Sequence, residues 1–176
     1  MKDYENSILT YEKSLEYVRS ESSRAFNLVS IGILYEKALN EIDKSITYYK
    51  KAIEADSTYN FSYLNLGDAY FKLGKNNLAI ENYNKGIEID STLEDGFFRR
   101  IHFYTQIGEY DLALNDIKTV RKIDNEHPES YFKEAIINNK LGKLKSILNI
   151  QKAIDKFISY SSEFNVSPVI FLDFRS

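Results

Sequence analysis

In residues 76–89 the apolar side chains Leu78, Ala79, Tyr83, Ile87 and Ile89 recur at steps of mostly three and four. That spacing draws one buried stripe along a helix. Glu81 and Lys85 fall on the opposite face as an i,i+4 pair worth a few tenths of a kcal/mol. The same helical spacing recurs throughout the chain, and no strand-like alternation competes with it before residue 161. The pattern predicts an all-α protein whose stripes are packing surfaces.

Punctuation turns this helical text into repeats. Gly74, Gly108 and Gly142 stand 34 residues apart, and Asp56, Asp90 and Asp124 keep the same period. A strict period of this length marks stacked units, each burying its apolar face on the next. When residues 60–93 are laid on 94–127, Leu78-Ala79 falls on Leu112-Ala113, Tyr70 on Tyr104, Leu73-Gly74 on Ile107-Gly108, and Ile89-Asp90 on Ile123-Asp124. Within 60–93, Tyr63, Leu66-Gly67, Tyr70, Ala79 and Tyr83 spell an aromatic, Leu-Gly, Tyr, then Ala-x3-aromatic pattern. On those residues the chain resembles the tetratricopeptide repeat family. The resemblance implies tandem helix-turn-helix units coiled into a right-handed superhelix, an all-α solenoid.

Four repeats are expected, over residues 25–59, 60–93, 94–127 and 128–160. The first keeps Gly32, Tyr35, Tyr49 and Ala52 but is one residue longer between Gly32 and Asn40, which places an extra residue in that turn. Asn40 stands where glycine is expected and can take the left-handed conformation that ends a helix. The third has Arg100-Ile101 in place of Leu-Gly, which implies a slightly wider helix crossing. The fourth retains Tyr131, Ala135, Leu141-Gly142 and Ala153, and Pro128 opens its first helix. Residues 3–18 read as a lone second helix, because Ser7, Ile8, Tyr11, Ser14 and Leu15 match Ser45, Ile46, Tyr49, Ala52 and Ile53. Residues 1–24 are thus half a repeat: either the natural chain begins upstream of Met1, or this half serves as a cap. Residues 1–160 form the expected repeat domain.

Composition narrows the function. The 176 residues, 28% charged and 43% hydrophobic, suit a single folded domain. There is no 18-residue apolar run and no basic-then-apolar leader, so the expectation is a cytoplasmic protein without a membrane partner. The absence of cysteine excludes disulfides and thiolate chemistry. His102 and His127 have no histidine four residues away, so no helical zinc pair is expected, and no metal or cofactor. The glycines are scattered and do not form a phosphate loop. Glu94-Asp95 open a helix, where its positive end accounts for them. A net charge of −3 provides no nucleic-acid footprint. An enzyme is not expected.

What remains is a binding surface. The resemblance implies that the first helices of successive repeats line a concave groove holding extended peptides or partner helices. By register the lining comprises Val29, Ile33, Phe61, Leu64, Asn65, Asp68, Phe71, Lys72, Asp95, Phe98, Arg99, His102, Phe132, Lys133 and Ile136. Leu64, Phe98 and Phe132 make an apolar row; Asn65, Arg99 and Lys133 make a polar-to-basic row able to hold a peptide backbone or carboxylate. Reversing Arg99 and Lys133 to glutamate is expected to shift stability by less than about 0.5 kcal/mol, as for surface sites. The family's clamp for acidic chaperone tails is poorly matched: Asn65 and Arg99 fit it, but Val29, Ile33 and Asp95 replace its lysine, asparagine and lysine. Residues 161–176 break the period with Phe164, Val166, Val169, Ile170, Phe171, Leu172 and Phe174, an apolar tail or cap. It would pack on the last helix, in the groove or on a second copy, so the alternative to a peptide scaffold is a self-associating assembly module.

Overall fold

Every regular element in the computed structural model is helical among the residues it describes, which are 2–142, 151, 154, 155, 158 and 159. The chain divides into two compact units, residues 1–103 and 104–176. The first holds α1 (Lys2–Tyr17), α2 (Glu21–Ile33), α3 (Ile42–Ala55), α4 (Asn60–Lys72), α5 (Asn76–Ile89) and residues 94–103 of α6 (Glu94–Ile107). The second holds the rest of α6, α7 (Tyr110–Ile123) and α8 (Pro128–Lys140). The predicted tail at 161–176 lies outside the described residues.

The periodic residues are turn-makers, each with a local reason. Gly74, Gly108 and Gly142 have φ of 69°, 86° and 64°, and Asn40 takes their place at 55°. These left-handed residues end the first helix of each repeat. The periodic aspartates end the second helices. Asp56 Oδ1 accepts from the Thr58 amide at 2.8 Å and its hydroxyl at 2.6 Å. Asp90 does the same for Thr92 at 3.0 and 2.7 Å, and Asp124 accepts from the Glu126 amide at 2.9 Å. An aspartate that bonds the backbone two residues on offers an alternative to another helical turn.

The extra residue of the first repeat sits inside the helix, not in the turn. Beyond Ile33, α2 continues as a π-helical turn, Leu34–Ala38. There the Leu39 amide bonds the Leu34 carbonyl five residues back, at 3.2 Å. A π turn absorbs one residue while leaving the helix unbroken. Tyr35 and Leu39 therefore hold the places of Tyr70 and Leu73, and the extra residue falls between them.

In unit 1, Ala25, Ile31, Tyr49, Ala52, Ala69, Ala79, Tyr83, Ile101 and Phe103 are buried between helices. Unit 2 buries Ala113, Ile117, Val120, Ala135 and Ile137. Tyr49 lies so close to α2 that a Cβ at Gly32 would stand 2.4 Å from its ring, and Tyr83 meets Gly67 in the same way at 2.8 Å. The Leu-Gly of the repeat is thus the seat of a tyrosine from the following helix. Two details differ from the sequence pattern. Leu78 is exposed, and the buried residues of α5 include Gly86, which packs on Leu64. Lys85 pairs with Glu88 at 3.0 Å rather than with Glu81.

Candidate functional site

Three first helices, α2, α4 and α6, meet on one face of unit 1, tied by side chains that each repeat passes to the next. On α3, the Tyr49 hydroxyl donates to Glu36 Oε2 at 2.8 Å, and the Lys72 ammonium of α4 donates to Glu36 Oε1 at 2.5 Å. On α5, the Tyr83 hydroxyl donates to Asp68 Oδ1 at 2.7 Å, and Arg99 of α6 donates to Asp68 Oδ2. Arg99 also donates to Asp95 Oδ2 at 2.7 Å, one helical turn back. The motif thus occurs twice: a buried tyrosine donates to a carboxylate on its neighbouring first helix, and that carboxylate takes a cation from the next first helix. Each carboxylate is shared between donors, which suits an acceptor-only group taken partly out of water.

Burial sets the electrostatics. The Glu36 side chain is 3% exposed, while Lys72 opposite it is 47% exposed. Burial above all, then the charge and hydrogen bond of Glu36, pushes the Tyr49 hydroxyl far above its ordinary value. Burial and Asp68 do the same to Tyr83. For Arg99, 24% exposed, burial works to lower the pKa, but Asp68 and Asp95 outweigh it and raise it. Lys72 and Arg99 are each paired with carboxylates of the chain itself.

The residues expected in the groove divide by environment. Phe61, Phe71 and Phe98 are half-buried, and His102 is exposed with its ring edge-on to Phe71 at 6.1 Å. Phe71 also meets Phe103 edge-on at 5.2 Å. Asp68, Lys72 and Arg99 form the ladder. Leu64 is 0% exposed, held between Gly86 and Gly96, and therefore belongs to the interior rather than to an open apolar row. Asn65 is buried too, its side-chain amide donating to the Phe61 carbonyl at 2.7 Å. Val29 is buried and Ile33 half-buried. In unit 2, Phe132, Lys133 and Ile136 are half-buried, and Lys133 stands 3.5 Å from Glu129. Sequence reasoning missed Phe26, exposed on α2 at the register of Phe61, and Glu36, whose signal was the one-residue surplus of its repeat.

Among the described residues no group of three or more His, Asp or Glu side chains is placed to hold a metal ion. No described helix is long and apolar enough to cross a membrane. What the face provides is half-buried aromatic surface beside an internally paired charge ladder.

Models of the tetratricopeptide repeat match residues 61–93 and 35–74. No curated protein matches the chain by sequence. Among solved structures, the crystal structure of MamA is similar at 20% identity with a TM-score of 0.73, covering 92% of each chain. The first tetratricopeptide domain of Spaghetti (RPAP3), solved bound to the HSP90 peptide SRMEEVD, is 23% identical. It covers 69% of this chain and 98% of its own, with a TM-score of 0.62. YrrB, described as having an unusual peptide-binding site, is 20% identical with a TM-score of 0.64, covering 88% of this chain and 78% of its own.

Proposed function

We propose that this chain, a tetratricopeptide-repeat protein, is a non-enzymatic scaffold that binds an extended peptide or partner helix along the first-helix face of residues 1–103. The observation that carries this reading is the set of half-exposed aromatics Phe61, Phe71 and Phe98, with exposed His102, on the face braced by the Glu36 and Asp68 ladder. Aromatic groups held rigidly on helices offer apolar area at little entropic expense, which favours them at binding surfaces. Peptide binding by Spaghetti (RPAP3) and by YrrB supports the reading by analogy of fold.

Peptide display panned on the full chain tests it. Selected peptides should bind at least about tenfold more weakly to a Phe98→Ser, His102→Ser double variant, equivalent to about 1.4 kcal/mol. Leu112→Ser, exposed on α7 of unit 2, should leave binding unchanged. Equal binding to all three proteins would remove the groove from the function. Loss of self-association on deleting residues 161–176 would favour the assembly reading instead.

A further inference from the structure

The rows of charge on a binding surface decide its partners more sharply than its apolar area does, because an unmatched charge is penalised while unmatched apolar area is only wasted. On the first-helix face of unit 1 the cations are already spent. Arg99 is held by both Asp68 and Asp95, and Lys72 by Glu36. Asp68 and Asp95 already offset the charge of Arg99, so a ligand carboxylate there would meet the repulsion of both. A ligand carboxylate on Lys72 would compete for its charge with Glu36, 3% exposed, whose other donor is Tyr49. A buried carboxylate deprived of its cation is strongly disfavoured. The ladder holds three carboxylates to two cations, and the most exposed carboxylate, Asp95 at 42%, lies at the start of α6 with Phe98 on the next turn.

Resting on the groove reading above, we infer that this face selects a cationic partner segment, one carrying lysine or arginine among apolar residues, and rejects acidic tails. The apolar side chains lie against Phe61, Phe71 and Phe98, and the cation reaches Asp95. Arg99 then acts as a positioning residue that holds Asp95 and Asp68 in place. With its charge offset by two carboxylates of the chain, Arg99, which by residue type alone suggests carboxylate capture, has less attraction left for an acidic partner.

Two synthetic peptides with one shared apolar pattern, one with lysines and one with glutamates at the polar positions, test this against the full chain by fluorescence anisotropy. SRMEEVD serves as a third, acidic probe. The lysine peptide should bind at least tenfold more tightly than either acidic probe at low salt. The preference should shrink in Asp95→Asn and as salt screens the pair. Asp95→Asn leaves Asp68 on Arg99, and circular dichroism should show this variant folded. If an acidic probe binds as tightly as the lysine peptide and Phe98→Ser abolishes both, the charge inference is overturned while the groove stands. If no probe binds, or Phe98→Ser changes nothing, the groove reading is overturned and this inference with it.

Discussion

The Tyr49 hydroxyl bonds Glu36 at 2.8 Å, and that one bond links the two departures that make the first repeat unlike the others. Glu36 lies in the π turn that takes up the extra residue, and the turn directs it inward between α3 and α4. In the next repeat Tyr83 finds its carboxylate on Asp68 within a regular helix. The same tyrosine position is therefore satisfied in two ways, by a carboxylate in register and by one the π turn brings to it. The corresponding residue of α7 is Ile117, buried and without a hydroxyl to place.

Burial on the two sides of the Glu36–Lys72 pair is unequal, so its two truncations should be unequal. Lys72→Met strands a carboxylate that is 3% exposed and should destabilise by about 1–2 kcal/mol. Glu36→Gln strands an ammonium already half in water and keeps an acceptor for Tyr49, so the loss should be about 1 kcal/mol or less. Urea denaturation of both variants checks the order. A larger loss for Glu36→Gln would show that the pair is not formed in solution.

Two kinds of glycine should respond in different ways. At Gly67 a methyl group would stand 2.8 Å from the Tyr83 ring, so Gly67→Ala should destabilise by about 1–3 kcal/mol through overpacking. Gly74 has open space around it but a φ of 69°, so Gly74→Val should lose about 1 kcal/mol or more through backbone strain alone. Adding Tyr83→Leu should relieve part of the first loss and none of the second. Thermal midpoints of the single and double variants decide it.

The repeats were legible because their marks are local. A left-handed glycine or an aspartate turn needs only its near neighbours, so Gly74 and Asp56 reveal their places without any tertiary structure. The groove was legible in register but not in exposure. Leu64 and Phe98 hold equivalent places, yet Gly86 and Gly96 let the helices close over Leu64, and those glycines lie on other helices. Asp95 stands at helical spacing from Arg99, but the second partner that closes the ladder, Asp68, is 31 residues away, beyond any helical spacing rule. The extra residue of the first repeat was countable, but whether it would bulge the turn or the helix depended on burying Glu36 against Tyr49 and Lys72.

Alkali should unfold the protein through its buried tyrosines. Tyr49 and Tyr83 are raised well above the ordinary tyrosine value, by burial first and by carboxylates next. A raised value means that the folded state holds the proton more tightly than the unfolded chain. The stabilisation is whole below about pH 10, where unfolded tyrosine titrates, and is lost as pH rises beyond it. Each of these tyrosines should steepen the fall by about 1.4 kcal/mol per pH unit. Tyrosinate absorbance should show both hydroxyls ionising only as the fold is lost, and Tyr83→Phe should have a shallower decline. Full tyrosine titration in a still-folded protein would contradict the hydrogen bonds to Glu36 and Asp68.

Arg99→Glu should be severe for the fold, contrary to what a surface position would suggest. The arginine is 24% exposed and bridges Asp68 to Asp95, so a glutamate there removes two ion pairs and sets three carboxylates together. Partial exposure moderates the penalty, and a loss of about 2–3 kcal/mol is expected. Lys133→Glu, in unit 2, breaks only the 3.5 Å pair with Glu129 and should lose about 0.5 kcal/mol. Crowded carboxylates hold protons more tightly, so the Arg99→Glu deficit should narrow as pH is lowered through the carboxylate range. Urea denaturation across that range measures it. A deficit that is small and indifferent to pH would mean that Arg99 is not held by its own chain, and the case for a face closed to acidic partners would fail with it.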